Sequence, residues 1–129
     1  MTIALKYDKD TDILRITTGE VFTAPEFESS LNEILDSDNF PPDIKTIWDL
    51  TRLDFSKIDS NFETSLIQIL RENPRRENAL TAIVVASDIG FGMSRMFQTL
   101  STQKDLPQRF SIFSNLIAAE EWLVRPSPV

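Results

Sequence analysis

The sequence predicts an α/β fold built on a mainly parallel, five-stranded sheet. Three observations carry that expectation. Ala82–Ala86 is an unbroken apolar run of strand length, the pattern of a parallel strand covered on both faces. Asp88-Ile89-Gly90-Phe91-Gly92 interrupts the run as a turn, and Met93, Met96, Phe97 and Leu100 then recur on one face of a helix. Along the rest of the chain, strand and helix patterns alternate after an opening hairpin, in the order ββαβαβαβα. Alternation of this kind implies right-handed crossovers between parallel strands.

The elements follow in order. Ile3–Tyr7 and Ile13–Thr17 alternate apolar with polar residues, and Asp8-Lys9-Asp10-Thr11-Asp12 between them is turn chemistry, so the pair reads as a β-hairpin. The three aspartates lack the glycine and closing glutamate of a calcium loop, which leaves a solvated turn. Thr23-Ala24-Pro25-Glu26 is a capping box, with Phe22 and Phe27 placed to form its hydrophobic staple. Phe27, Leu31, Ile34 and Leu35 are the buried stripe of the first helix, and Phe40-Pro41-Pro42 leads to a strand at Thr46–Leu50. Ser60-Asn61-Phe62-Glu63 is a second capping box, followed by the stripe Phe62, Leu66, Ile69 and Leu70, with a stop at Asn73-Pro74. After the central strand and third helix come a short aromatic strand, Arg109–Phe113, and a last helix, Leu116–Leu123, packing by Leu116, Ala119 and Trp122 or Leu123. Residues 1–124 read as one domain and Arg125–Val129, with two prolines, as a loose tail.

Composition excludes several chemistries. The net charge of −7 opposes nucleic acid or an anionic membrane as the main partner, although Arg71, Arg75 and Arg76 cluster locally. With no cysteine and no histidine, the chain offers no thiolate nucleophile, no zinc–thiolate site and no imidazole base. No metal or cofactor is expected. The N-terminus lacks a signal-peptide apolar region and no run is long enough to span a bilayer, so the expected location is the cytoplasm.

Four segments resemble the SpoIIAA-like superfamily, which includes the STAS domains of anti-sigma-factor antagonists and anion transporters. They are Asp12-Ile13-Leu14-Arg15-Ile16, Ile47-Trp48-Asp49-Leu50-Thr51, Gly90-Phe91-Gly92-Met93-Ser94-Arg95-Met96 and Ala118-Ala119-Glu120-Glu121-Trp122-Leu123. The pattern is closest to small, uncharacterised bacterial SpoIIAA-like proteins and runs nearly the whole length. The resemblance implies a β–α superhelix with the hairpin strand added at its edge, no enzymatic activity, and an interaction module of the kind that phosphorylation switches. It also implies kinship with CRAL-TRIO folds, which bind lipids. Antagonists of the family carry a phosphorylated serine in an Asp-Ser pair at a helix start. Asp59-Ser60 is the counterpart here, with Asn61 in place of the usual glycine.

Two candidate sites result. Ser60 is a possible phosphoacceptor, since phosphate would meet the free N–H groups of a helix start; its plainer role is to cap that helix with Glu63. Asp88, Gly90, Phe91, Gly92, Ser94 and Arg95 are a candidate ligand-binding set at the carboxyl end of the central strand, where open α/β sheets bind ligands. Gly90-Phe91-Gly92 would cradle a small anion, Ser94 would add a hydroxyl and Arg95 a charge. The plainer reading is a tight turn with an exposed arginine. Asp49 and Asp88 fall near strand ends; without a histidine, structural roles, capping loops or pairing with Arg95, fit them better than acid–base work. Trp48 and Trp122 read as core.

The leading expectation is therefore a non-catalytic regulatory module that binds a protein partner or a small anion. Its rival is a carrier of an apolar molecule, which a cavity lined by Phe91, Met93 and Phe97 would favour. An enzyme ranks last. A homodimer is also expected, because right-handed crossovers put successive helices on one sheet face and leave the other bare for a second copy. Ile83 and Val85 point to one face, Ala82, Val84 and Ala86 to the other, and neither set carries a charge. The competing outcome is that the hairpin or the tail folds across the open face.

Overall fold

The computed structural model describes residues 3–41, 43–58, 61–73, 79–103 and 109–124. In chain order its elements are β1 (Ala4–Asp8), β2 (Ile13–Thr17), α1 (Ala24–Asp36), β3 (Lys45–Asp49), a 3-10 turn (Phe55–Lys57), α2 (Phe62–Glu72), β4 (Leu80–Val84), α3 (Asp88–Gln103), β5 (Arg109–Phe113) and α4 (Leu116–Val124). The expected order holds throughout. The five strands form one sheet in the order β1-β2-β3-β4-β5. β1 pairs antiparallel with β2, and every later neighbour is parallel. The tail after Val124 and Ser60 lie outside the described residues, as do Pro74, Arg75 and Arg76.

Local chemistry explains the element ends. In the hairpin, Asp12 adopts the left-handed region at φ 57°, which aspartate tolerates, and its N–H donates to the Asp8 carbonyl at 2.9 Å. The α1 capping box is present in full. The Thr23 N–H donates to Glu26 Oε1 at 3.1 Å, and the Glu26 N–H donates back to Thr23 Oγ1 at 3.3 Å. Phe22 and Phe27 meet edge to face with ring centroids 6.4 Å apart, as a staple should. α2 starts one residue later than the Ser60–Glu63 spacing implies, with Asn61 in the cap position. At its other end the Asn73 side chain donates to the Ile69 carbonyl at 2.8 Å.

Strand register sorts the side chains into two cores. Leu5, Ile16, Trp48, Ile83 and Ile112 form one row across the sheet. They face α1, α2 and α3, whose residues Leu31, Ile34, Leu66, Leu70 and Phe97 complete the larger core. α1, α2 and α3 each connect two neighbouring parallel strands and lie on the same face, where crossovers of one hand place them.

The opposite face is not bare. α4 lies over it, and Ala119 and Leu123 bury completely against Ile13, Ile47, Ala82 and Val84. Lys45 Nζ donates to the Leu123 carbonyl at 2.8 Å and ties the end of α4 to β3. The handedness rule governs helices that connect two parallel strands. Among the described residues α4 does not connect two parallel strands, so that rule does not assign it a face. The sheet face reserved for a second copy is thus covered by the chain itself.

α3 differs from expectation too. It begins at Asp88, so Gly90 and Gly92 are helical residues and not a turn, and no glycine has a positive φ. Ser87 makes this possible. Its Oγ accepts the Gly90 N–H at 3.0 Å and its carbonyl accepts the Phe91 N–H at 3.0 Å, which caps the helix directly after β4. The buried face of α3 runs through Gly90, Ser94, Phe97 and Ser101, with Met93 and Leu100 partly covered, while Met96 points to solvent at 56% exposure.

Candidate functional site

The larger core is incompletely filled. A cavity of about 80 Å³ lies between the sheet and the three helices. Its floor is Trp48, Thr81, Ile83 and Phe110 from the sheet. α1 contributes Phe27, Leu31 and Ile34; α2 contributes Phe62, Glu63, Leu66 and Leu70; α3 contributes Met93, Ser94 and Phe97. The segment between β3 and α2 closes one side with Leu50, Leu53, Phe55 and Ile58, and Phe22 fills the corner before α1. A single water needs roughly 10–15 Å³ of such space, so the volume suits several waters or one compact apolar group. Apolar cavities of this kind stay dry and take apolar guests.

The walls are held by ring packing. Phe22, Phe27, Trp48 and Phe62 form a connected aromatic group, with Phe27–Trp48 centroids at 5.2 Å and Phe22–Phe62 at 5.6 Å. Phe97 meets Phe110 edge to face at 5.1 Å on the far side. Three polar residues interrupt this lining: Thr81, whose Oγ1 accepts the Thr46 hydroxyl at 3.2 Å, Ser94 and Glu63. Glu63 is partly exposed in the first turn of α2, and burial pushes its carboxyl above the usual glutamate value.

The residues proposed from sequence for an anion site are not gathered around one ligand position. Gly90 and Ser94 face inward on α3, and Ser94 reaches the cavity. Asp88, Gly92 and Arg95 are exposed, and Phe91 is half-buried. The cradle itself is altered: Ser87 takes up the Gly90 N–H, and Asp88 places a negative charge at the end of the helix that would attract an anion. Of the three residues named for an apolar cavity, Met93 and Phe97 line it and Phe91 does not.

Asp49 is held structurally. Its Oδ1 accepts the Thr51 hydroxyl at 2.6 Å and the Thr51 N–H at 3.1 Å, and Arg15 donates to its Oδ2 at 2.9 Å. Burial works against its charge, but the bonds from Thr51 and Arg15 outweigh that cost and hold the carboxyl below the usual aspartate range. The pairing partner is Arg15 on β2, not Arg95. Beside it, on the α4 face, lies a polar depression of about 450 Å³ whose lining carries both signs of charge, with Lys6, Lys9 and Arg15 against Asp8 and Glu120. Among the described residues, no group of three or more acidic, histidine or cysteine side chains is arranged to hold a metal. No described helix is long and apolar enough to cross a membrane.

Comparison with solved structures places this geometry in a known architecture. An uncharacterised DUF3478-family protein from Shewanella loihica PV-4, described as having a SpoIIAA-like fold, superposes with a TM-score of 0.63 over 94% of this chain and 91% of its own. The chain has a SpoIIAA-like fold. At 17% identity the likeness is one of architecture. No protein-family model and no curated protein matches the sequence.

Sequence reasoning missed most of the cavity. Phe22, Phe27, Phe62, Leu66 and Leu70 were legible as staple and stripe residues, but periodicity reports which face is buried and not whether it is filled. Glu63 read as the partner in a cap. Its position three and four residues before buried Leu66 and Ile67 was the available signal that it borders the inward face.

Proposed function

We propose that the protein is a non-catalytic binding module that takes a compact apolar molecule, or the apolar end of a larger one, into the cavity between the sheet and α1–α3. The observation that carries this reading is the aromatic-lined cavity itself. Well-packed interiors leave few voids larger than a water molecule, and each one forfeits packing contacts. A guest would recover those contacts and stabilise the fold by mass action. This is the apolar-carrier reading, and it draws support from the site's own residues, since a fold alone does not determine function.

The two tryptophans allow a direct test. Trp48 lines the cavity, while Trp122 lies against Phe113 on the other side of the sheet. In Trp122→Phe protein the remaining tryptophan emission comes from Trp48. Titration with toluene or 1-hexanol is expected to change that emission saturably and to raise the melting temperature. No saturable change with either compound at millimolar concentration would refute the proposal.

A further inference from the structure

Among the described residues lining the cavity, Glu63 alone carries a formal charge. It sits beside Phe62, whose ring packs 5.6 Å from that of Phe22. The described ion pairs join Arg15 to Asp49 and Lys57 to Glu20, and neither involves Glu63. No described lysine or arginine belongs to the lining. A partly desolvated Glu63 side chain thus lines an aromatic space in which no described residue supplies a countercharge. Burial already disfavours its charged form, which agrees with this placement.

We infer that Glu63 makes the cavity selective for apolar amines over apolar carboxylates, a conclusion that rests on the cavity being a binding site. A protonated amine whose hydrocarbon body occupies the cavity would bring its charge to the Glu63 carboxylate. It would also meet the electron-rich faces of neighbouring rings, which attract cations. A fatty-acid-like carboxylate in the same pose would set two negative charges side by side in a poorly hydrated place. An alcohol can donate one hydrogen bond to Glu63 without a charge and falls between the two. Selectivity here comes from a repulsive element as much as an attractive one.

The test uses hexylamine, 1-hexanol and hexanoate, equal in chain length, titrated into Trp122→Phe protein at pH 7 and fixed ionic strength. Hexylamine is expected to bind about tenfold more tightly than hexanoate, with hexanol between them; tenfold corresponds to about 1.4 kcal/mol. In the Glu63→Gln variant, hexylamine is expected to fall to within about twofold of hexanol while hexanol affinity holds, the remaining preference reflecting uncharged contacts. Equal binding of hexylamine and hexanoate by the Glu63-containing protein would overturn the inference and leave the cavity reading standing. A hexylamine preference that survives Glu63→Gln would come from the overall charge of −7 and would also overturn it. Binding of none of the three would remove both the inference and the reading beneath it.

Discussion

Gly90 and Gly92 stand two residues apart in α3 and have opposite surroundings. A Cβ on Gly90 would lie 2.8 Å from Cε2 of buried Phe55 and 3.1 Å from Cβ of Val85, so the missing side chain lets the first turn of α3 pack closely. A Cβ on Gly92 would meet nothing within 4 Å. Alanine is favoured over glycine by about 1 kcal/mol inside a helix. Gly92→Ala is therefore expected to stabilise the protein by up to about 1 kcal/mol. Gly90→Ala gains the same helical preference but must displace Phe55, and overpacking of this kind costs about 1–3 kcal/mol, so it is expected to destabilise. Urea unfolding of the two variants checks the pair. Loss of stability in Gly92→Ala would mean that Gly92 is needed for something other than helix. The glycines read as a turn because Gly-x-Gly after a strand usually is one; Ser87, one residue before the segment, is the cap that makes it a helix.

Between elements, the Arg15–Asp49 pair is the charged link from β2 to β3. Arg15 sits opposite Ile47, and its guanidinium reaches along the sheet to Asp49 at the end of the strand. Asp49 also holds Thr51, so one side chain fixes both the pairing of two strands and the exit of the chain from β3. Because folding lowers the pKa of Asp49, its contribution is present above the unfolded-state value and is lost as pH falls through the folded one. Asp49→Asn is expected to cost about 1–3 kcal/mol at pH 7, typical of hydrogen bonds to a charged group. The gap from the native chain should narrow below about pH 4, as the native carboxylate protonates. Denaturant unfolding across pH 3–7 measures it, and a gap that stays constant with pH would show that charge is not what Asp49 contributes. Sequence exposed the strands but not this link. Arg15 and Asp49 are 34 residues apart, and register alone brings them within reach. The nearer arginine in the reading was Arg95, which the helical start of α3 turns to solvent. Similarly, Met96 read as core because apolar spacing cannot reveal that Ser94 and Ser101, both small, hold the buried positions on α3.

At the scale of the whole molecule, the α/β alternation and the shared face of α1–α3 were legible because local patterning and chirality dictate them. The side taken by α4 was not, because among the described residues α4 does not connect two parallel strands and the crossover rule says nothing of it. The inward face of α4, with Leu116, Ala119 and Leu123, was legible, but an inward face does not say which side of the sheet it packs against. The cavity was illegible for a different reason, since it depends on how three helices seat against one sheet. α4 also covers the surface on which the homodimer expectation rested. The argument for a homodimer needed an apolar sheet face with no cover, and Ala119 and Leu123 now cover it. The large apolar side chains left exposed among the described residues are Val21, Ile89, Met96, Ile117 and Val124. They come from a loop, from α3 and from α4. Apolar residues scattered over a surface are normal in monomers, and an interface needs a contiguous patch. The chain is therefore expected to sediment at equilibrium as a monomer near 14.7 kDa at micromolar concentration. A mass near twice that value would mean that the chain pairs through a surface other than the sheet face. The outer side of α4, where Ile117 is 70% and Val124 51% exposed, would be the first place to look. Ile117→Lys would then return the dimer to a monomer without loosening the covered face, because Ile117 points away from Ala82 and Val84.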